Sequence, residues 1–552
     1  MNRKALFVLL GVLGAQLILT ALVFTPAPHT GGDNAGYVAL AHSIVERGAY
    51  LELWTPGEPP HTKYPPVFPL ILAGAMALGV RGWVGLKTVP FVSTLLAGAF
   101  TFLWARDRKG NALAAGVALL LILSDAVLYY SRWVLSDPTF LAFTIGAIWA
   151  LERGEREEAE RPGLWLMAGF SLVLLAYFTR SAGLPLVIAT ILWLILRKGW
   201  GGLAIFSVSF AGVAGLWWLR GREAGGSGYV SEFWLLDPYR PDLGRLGPPQ
   251  LLARIWENLV AYVTNLIPEG IVGLEGPLLP VLGVGVALLA LVGWGRRFRV
   301  GPGLVEIFFP LYGGLMLLWP QVWSGDRFAL PLLPFLLFYA ATTLVWGLSR
   351  LRSPARTLIL AAAFLAVALP SLRNWTGEAE AARECRAVAK GGDPWACHGL
   401  NIQEYVVLAG WSGENLPVGA VVVTRKPRIF FVQSSVKALS LPLTADAGDF
   451  LSTASQGGAR YLTADRWDGL AAYYLPPVLG ARPGSFCYLT GVESGGQMGI
   501  QLLGILGDGE GGGGGEAGLP QCPPDMLLSR PRPRDPVPPG EIPLLVWGHR
   551  TR

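Results

Sequence analysis

Charged residues are scarce in this chain. Only 15% of its 552 residues are Asp, Glu, Lys or Arg, whereas soluble domains carry about 25%. Hydrophobic residues make up 52%, and the mean hydropathy is +0.45. This balance excludes a disordered chain, a collagen, a coiled coil and a cytosolic globular enzyme.

The chain also lacks the motifs of nucleotide and zinc enzymes. It has no Walker A motif, no Rossmann glycine fingerprint and no kinase signature, and its five histidines form no HExxH arrangement. We therefore predict no cofactor and no metal. A net charge of +6 can indicate a nucleic-acid partner, but here most basic residues lie at the edges of apolar runs. Because that placement is typical of membrane orientation, we predict a polytopic membrane protein and no nucleic-acid partner.

Eleven apolar runs are candidate transmembrane helices, a bilayer span requiring about 20 residues. They lie at 5–24, 84–105, 112–130, 139–152, 163–179, 183–197, 202–219, 277–294, 303–319, 329–348 and 357–370. The first run is long and lacks a clear cleavage site, so we interpret it as an uncleaved helix rather than a signal peptide.

The charge of the short loops decides whether the apolar run 66–80 also spans. If it does not span, five basic loops lie on the side of the N-terminus, namely those around 106–109, 153–161, 197–198, 296–299 and 350–356. The opposite short loops then hold single arginines: Arg132, Arg180 and Arg327. A spanning 66–80 would reverse the positive-inside bias, so we predict that this run lies along the interface or re-enters the membrane. The N-terminus is then cytoplasmic, and 25–83, 220–276 and the tail from 371 are external.

The sequence predicts three parts: a transmembrane module over 1–370, an external α/β domain over 371–506 and a flexible Gly/Pro-rich tail over 507–552. In the external domain, 419–424, 428–432 and 460–463 resemble strands, and 446–456 resembles a helix. In loop 220–276 we predict an interfacial helix at 251–267, anchored by Trp256 and Tyr262. This helix either covers a groove between the helix bundle and the external domain, or is a connecting helix on the membrane surface.

All four cysteines lie in the predicted external tail. An even number confined to one exported region indicates two disulfides, most simply Cys385–Cys397 and Cys487–Cys522. The alternative is four unpaired thiols.

The first external loop holds the most informative acid. Asp33 follows a Gly-Gly turn at the start of a predicted amphipathic helix that runs to about Arg47. An aspartate there can be a simple helix cap. Its position at the outer membrane surface also suits a catalytic carboxylate. Lys63 and Tyr64 follow, before a Pro-Pro turn returns the chain to the membrane.

This arrangement resembles the GT-C membrane glycosyltransferases, in particular the branch of the protein O-mannosyltransferases and the lipid A aminoarabinose transferases. The resemblance covers about 1–370. It rests on the early external Asp, the KYPPVFP segment, and three later external motifs in order. Those motifs are SRWVLSDP at 131–138, TRSAG at 179–183 and DRFALPLLP at 326–334. Some relatives carry an acidic residue, proposed to hold a metal, just before the loop lysine. This chain has Thr62 there, so a metal site cannot be carried over.

The resemblance implies transfer of a sugar from a polyprenyl-phosphate donor to an acceptor hydroxyl at the outer face of the cytoplasmic membrane. Such a reaction needs a base for the hydroxyl and fixed cations for the leaving phosphate. We assign the base to Asp33, a second acidic role to Asp137 and substrate contact to Tyr64. The predicted phosphate-binding residues are Lys63, Arg180 and Arg327.

Several alternatives remain open at this stage. Asp137 can simply cap the helix that begins at Pro138, and each external cation can be a snorkelling side chain at the interface. A lipid or polysaccharide transporter and a non-enzymatic scaffold are the competing functions. The absence of internal repeats and the gathering of polar residues at one surface favour the enzyme over the transporter. The sequence does not identify the sugar or whether the acceptor is a lipid, a glycan or a protein.

Overall fold

The computed structural model describes residues 3–156, 160–223, 229–494, 497–506 and 519–528. Twenty α-helices precede the first strand in these ranges. The first ten are α1 Arg3–Val23, α2 Gly32–Arg47, α3 Val67–Ala77, α4 Gly82–Leu86, α5 Thr88–Lys109, α6 Asn111–Leu123, α7 Asp125–Ser131, α8 Asp137–Gly154, α9 Pro162–Thr179 and α10 Leu184–Leu196. The next ten are α11 Trp200–Glu223, α12 Tyr229–Phe233, α13 Pro248–Ala261, α14 Ile267–Val272, α15 Leu279–Val300, α16 Leu304–Leu318, α17 Asp326–Ala329, α18 Leu333–Gly347, α19 Ser353–Val388 and α20 Leu400–Asn415.

Every predicted apolar run coincides with one or more of these helices. Seven described helices are long and apolar enough to cross a membrane, or eight if the bent pair α6 and α7 forms one span. Several other apolar helices are shorter. Helix α3, at the ambiguous run 66–80, has 11 residues and so extends only about 16 Å. This length is about half of a bilayer core.

Helix α1 illustrates how the bundle is packed. Its buried residues recur every three or four positions and include Leu9, Val12 and Gln16, so they form one stripe against the neighbouring helices. The opposite side is also apolar, with Phe7 73% exposed and Ile18 61% exposed. A helix that is hydrophobic all round, but buried on one side only, is typical of a bundle surrounded by lipid.

The basic loops meet at one end of the bundle. Arg108 binds Glu152 and, at 2.7 Å, the fully buried Glu306. Arg153 lies 3.4 Å from the Asp107 carboxylate beside it. The loops that the charge pattern assigns to one membrane side are therefore neighbours in space.

The C-terminal part is a five-stranded sheet covered by helices. Its elements are β1 Val421–Thr424, α21 Pro427–Ser434, β2 Lys437–Ser440, α22 Ala447–Gln456, β3 Tyr461–Ala464, α23 Leu470–Ala481, β4 Phe486–Ser494 and β5 Gln497–Ile505. The strand order is β2-β1-β3-β5-β4, with β2, β1 and β3 parallel and β5 antiparallel to both β3 and β4. The predicted strands at 419–424 and 460–463 and the helix at 446–456 are confirmed.

The predicted strand at 428–432 is wrong, because these residues belong to α21. This segment joins two parallel neighbours, β1 and β2, and a parallel connection needs a crossover, usually a helix. Pro427 occupies the first helical position, where a proline loses no helical hydrogen bond.

Both predicted disulfides are present, Cys385–Cys397 and Cys487–Cys522. The first joins the end of α19 to the segment before α20. Helix α19 has 36 residues, or about 54 Å, and runs without a break through residue 370. Of the predicted tail at 507–552, residues 519–528 pack against the sheet through Cys522 and the buried Met526. The rest of that tail lies outside the described residues.

The predicted helix at 251–267 is present as α13 followed by a π-helical turn over 262–266. Trp256 is 65% exposed, as expected of an interface anchor, but Tyr262 is 2% exposed. Tyr262 therefore packs inside the protein, and the prediction that it anchors the helix at the interface is wrong.

Candidate active site

Asp33 lies in the first turn of α2, close to the arginines Arg180 and Arg327 that the sequence predicts to be external. The helix begins at Gly32, and no side chain caps it, so the interpretation of Asp33 as the N-cap is wrong. The turn before it is fixed by the Gly31 N–H, which donates to His29 Nδ1 at 2.9 Å. Burial, followed by the charge of Arg327, lowers the pKa of His29 to about 4. This ring is therefore neutral near pH 7.

The Asp33 carboxylate is held by one hydroxyl and two guanidinium groups. Tyr64 Oη donates to Oδ1 at 2.7 Å, and both Nη atoms of Arg327 lie 3.3 Å from Oδ2. Arg428 Nη1 lies 3.7 Å from Oδ1. Burial acts to raise the pKa of Asp33, but the charges of Arg327 and Arg428 and the Tyr64 hydrogen bond outweigh it, so the pKa falls below its ordinary value. Asp33 is thus ionised in this arrangement.

Asp137, the second predicted acid, lies at the start of α8 and is 2% exposed. Arg180 Nη1 donates to its Oδ1 at 2.6 Å, and Arg327 donates to both carboxylate oxygens, from Nε at 3.2 Å and from Nη2 at 3.1 Å. The N-cap residue of α8 is Ser136. Asp137 is therefore the first residue of the helix and does not cap it. Arg327 therefore bridges the two acids, Asp33 and Asp137.

Buried hydroxyl groups support this bridge. Ser136 Oγ lies 3.0 Å from Tyr37 Oη and accepts from Arg180 Nη1 at 3.3 Å. Burial, together with the Asp33 charge, raises the pKa of Tyr37 to about 12, so this phenol keeps its proton. The guanidinium of Arg180 lies over the Phe328 ring, 5.3 Å from its centroid. These contacts fix the orientation of the Arg180 side chain.

Lys63 and Arg132 form ion pairs outside this network. Lys63 Nζ donates to Glu232 at 2.9 Å and lies 5.7 Å from the centroid of the Trp323 ring. Arg132 pairs with Glu378 at 2.5 Å. The structure thus brings five of the six predicted residues into one network: Asp33, Tyr64, Asp137, Arg180 and Arg327. It places the sixth, Lys63, against loop 220–276.

The sequence did not indicate Arg428, which reaches this site from the C-terminal part. Arg428 donates a hydrogen bond to Tyr64 Oη and stacks on the Trp54 and Tyr64 rings, with its Cζ 5.2 and 4.9 Å from the ring centroids. A Cβ atom at Gly36 would lie 2.9 Å from Arg428 Cδ. The glycine therefore leaves the space that this side chain occupies. No local signal in the sequence links residue 428 to the first external loop.

The charges of this network suit a bound anion better than a bound metal. Three guanidinium groups, Arg180, Arg327 and Arg428, face two carboxylates, which leaves one excess positive charge. The carboxylate oxygens already accept from guanidinium groups, so a cation at Asp33 would be repelled by its neighbours. No group of three or more His, Cys, Asp or Glu side chains converges on a point among the described residues. The predictions of no metal and no cofactor stay predictions.

Comparison with known proteins gives the family relationship. Residues 63–217 match the family described as dolichyl-phosphate-mannose-protein mannosyltransferase. No curated protein sequence matches the chain. Among solved structures, the archaeal oligosaccharyltransferase AglB from Archaeoglobus fulgidus, in complex with an inhibitory peptide and a dolichol-phosphate, is similar. It has a TM-score of 0.56 and 13% identity, and the match covers 90% of this chain and 74% of AglB.

A second similar structure matches over nearly its whole length. ArnT from Cupriavidus metallidurans, bound to undecaprenyl phosphate, has a TM-score of 0.56 and 13% identity, over 89% of this chain and 97% of ArnT. Its apo state has a TM-score of 0.55 and 14% identity. These likenesses establish the fold. Together with the mannosyltransferase segment they confirm the prediction from the sequence motifs: the chain is a multi-pass membrane glycosyltransferase with the GT-C fold.

Proposed function

We propose that the enzyme transfers a sugar from a polyprenyl-phosphate donor to an acceptor hydroxyl at the outer face of the cytoplasmic membrane. The observation that carries this proposal is the contact of one ionised acid, Asp33, with two arginines in a network that has one excess positive charge. A sugar phosphodiester carries one negative charge, so it would neutralise that excess. The dolichol-phosphate bound to AglB and the undecaprenyl phosphate bound to ArnT support a lipid-phosphate donor.

Arg327 and Arg180 are the proposed ligands of the donor phosphate. When the glycosidic bond breaks, the lipid phosphate leaves with the bonding electrons and gains a negative charge. Guanidinium groups that are already fixed in place stabilise that charge without rearranging. Asp137 and Asp33 hold the Arg327 guanidinium in place. Asp137 and Ser136 do the same for Arg180. Both arginines are therefore positioned before the donor arrives.

Asp33 is the proposed general base. It would accept the proton of the acceptor hydroxyl while that oxygen attacks the anomeric carbon, and the bond from this carbon to the phosphate oxygen breaks. In the free enzyme the arginines hold the pKa of Asp33 low, which makes the carboxylate a weak base. A bound phosphate would share the Arg327 donors, so the pKa of Asp33 would rise and its basicity increase when the donor is bound.

The external orientation rests on the two ends of the bundle. The basic loops around Arg108 and Arg153 meet at one end, and positively charged loops favour the cytoplasmic side. Asp33 and Arg327 belong to loops that the same rule assigns to the other side.

Replacing Asp33 by Asn tests the base assignment, because the amide keeps the shape of the carboxylate but cannot take a proton. Purified protein would be incubated with polyprenyl-phosphate mannose and a panel of other polyprenyl-phosphate sugars. Release of free sugar to water would report the chemistry without a known acceptor. We expect the Asp33→Asn rate to fall by about 10²- to 10⁴-fold, with binding of undecaprenyl phosphate retained.

The matched control is Glu46→Gln, on the same helix but paired with His42 near its C-terminal end. It should retain the wild-type rate. An active Asp33→Asn protein would disprove the base assignment. Failure of the wild type to process any polyprenyl-phosphate sugar would disprove the donor class.

A further inference from the structure

The parallel part of the C-terminal sheet has a topological switch point between β1 and β3. From β1 the chain crosses to β2 on one side, and it later returns through α22 to β3 on the other side. In open α/β sheets, ligands bind outside the carboxyl ends of the strands at such a point. Here the residues that follow β1 are Arg425 and Lys426, and those that follow β3 include Trp467 and Asp468.

These side chains form a charged cleft with an excess of cations. Arg425 binds Asp468 through two nitrogens, Nε at 2.9 Å and Nη2 at 2.7 Å, and Lys426 Nζ lies 3.3 Å from the same carboxylate. Two cations therefore share one acid. All three side chains remain partly exposed, at 16%, 18% and 29% for Arg425, Lys426 and Asp468. Trp467 forms one wall, its ring centroid 5.9 Å from Lys426 Nζ.

The backbone that presents these cations is held by a buried network. Tyr405 Oη lies 2.7 Å from Thr424 Oγ1 and donates to the Lys426 carbonyl at 3.0 Å. Thr463, the neighbour of Thr424 on β3, has its Oγ1 2.7 Å from Thr424 Oγ1 and 3.2 Å from an Asp465 carboxylate oxygen, and its hydroxyl can donate to either. Both strand ends are thus fixed to each other.

The cleft is close in the chain to a residue of the candidate active site. Lys426 is separated only by Pro427 from Arg428, which contacts Asp33. Burial and then the charge of Arg425 lower the pKa of Lys426, and the Asp33 carboxylate acts in the opposite direction. On the outer side, the Tyr239 ring of loop 220–276 lies 5.3 Å from the Arg425 guanidinium. A molecule whose hydroxyl reaches Asp33 would extend along this cleft.

From this geometry we propose that the switch-point cleft, formed by Arg425, Lys426, Trp467 and Asp468, is an acceptor subsite that binds an oxyanion of the acceptor close to the hydroxyl that receives the sugar. The inference rests on the proposed transferase reaction. The bound group is a phosphate or carboxylate attached to a polyhydroxylated acceptor. It would displace Asp468 from one or both cations, and the sugar rings would pack on Trp467.

Titration calorimetry on the full-length protein in detergent tests this, with mannose 6-phosphate, glucuronate and mannose as probes. We expect the two anionic probes to bind at least about tenfold more tightly than mannose. The double variant Arg425→Ala/Lys426→Ala should lose at least about tenfold of that affinity, and Lys426→Gln should lose part of it. The matched control is Arg460→Ala, immediately before β3 and paired with Asp525, and it should bind as the wild type does.

Asp468→Asn separates a subsite from a merely structural ion pair. If the cluster only fixes the loop, this variant weakens the fold and does not improve binding. If the cleft binds an oxyanion, the variant frees both cations, and mannose 6-phosphate should bind several-fold more tightly. Equal binding of mannose and its phosphate by the wild type, or no gain in Asp468→Asn, would overturn the proposal.

A second titration distinguishes this inference from the donor assignment. Undecaprenyl phosphate should bind the double variant normally and lose affinity in Arg327→Ala, whereas mannose 6-phosphate should show the reverse. If Arg327→Ala instead abolishes mannose 6-phosphate binding and the double variant does not, the anion occupies the donor site and the acceptor subsite is disproved. If undecaprenyl phosphate fails to bind the wild type, the donor proposal fails by itself.

Discussion

Removing Arg428 should impair the reaction although this residue lies outside the transmembrane bundle. Its guanidinium is 3.7 Å from the Asp33 carboxylate and donates to Tyr64 Oη. Arg428→Ala would leave Tyr64 with one partner fewer and Asp33 with Arg327 as its remaining guanidinium contact among the described residues. The side chains of Tyr64 and Asp33 should therefore move more freely.

The magnitude follows from the distance. Two unit charges 3.7 Å apart interact by about 4 kcal/mol at an effective dielectric constant of 20. Solvent reaches about a third of the Asp33 side chain, so about half of this is a reasonable expectation for the loss. This contact also positions Asp33, and we expect the loss of positioning to outweigh the gain in basicity that follows from a higher Asp33 pKa. A net loss of about 2 kcal/mol corresponds to about a 30-fold fall in kcat/KM.

The pH profile provides a second, independent readout. Arg428 is one of the charges that lower the pKa of Asp33, so its removal raises that pKa. A general base acts only when it is ionised, and activity is therefore lost as the pH falls through its pKa. The acid limb of the Arg428→Ala profile should lie at higher pH than that of the wild type. A merely structural role for Arg428 would lower the rate without moving this limb.

Two variants complete the test, with rates of sugar release measured across pH for each protein. Gly36→Ala adds a methyl group 2.9 Å from Arg428 Cδ, so it displaces the arginine while keeping its charge. Its effect should be in the same direction and smaller. Arg460→Ala replaces an exposed arginine immediately before β3, in the same C-terminal part of the chain, and should change neither rate nor profile. A wild-type rate and an unshifted acid limb in Arg428→Ala would refute the reasoning.

Two further predictions concern stability. Arg108→Ala leaves the fully buried Glu306 without its closest cation and should cost about 3–5 kcal/mol, seen as a lower midpoint of thermal unfolding. Arg108→Ala/Glu306→Gln should recover part of the loss, and an unchanged midpoint in the single variant would contradict the prediction. Replacing the Cys385–Cys397 pair by serines should destabilise the protein by about 2–4 kcal/mol. The check is that the serine variant has a lower midpoint than the wild type when both are measured without reductant; equal midpoints would argue against it.

The sequence predicted the positions of the apolar helices well, for a physical reason, although only seven or eight of the described helices are long and apolar enough to span, against eleven predicted. An apolar run must form a helix in lipid because every backbone group needs an internal partner, so hydropathy alone locates all eleven predicted runs on helices. The two disulfides could also be predicted from the sequence, because four cysteines in one segment allow only three ways of pairing. Hydropathy does not fix the length of a helix. The apolar helix Val67–Ala77, for example, is shorter than a full bilayer span.

Residues 428–432 show where local patterns fail. The run IFFV has the apolar, partly β-branched character of a strand, yet it forms α21 because its neighbours β1 and β2 are parallel and require a crossover. That tertiary constraint also aims Arg428 at Asp33. A prediction made from the local segment misses both the helix and the active-site residue that it carries.

Lys63 and Arg327 mark the limit of reasoning from charge and topology. Both are cations that the loop pattern places on the external side, and sequence alone gives no reason to prefer one. The structure separates them by their partners: Arg327 bridges Asp33 and Asp137, whereas Lys63 pairs with Glu232 of a loop that is distant in sequence. The sequence therefore predicts that the two cations share one side of the membrane, but it does not predict the role of each, which depends on the partners that the fold gives them. For that reason, the test of the donor site belongs on Arg327 first.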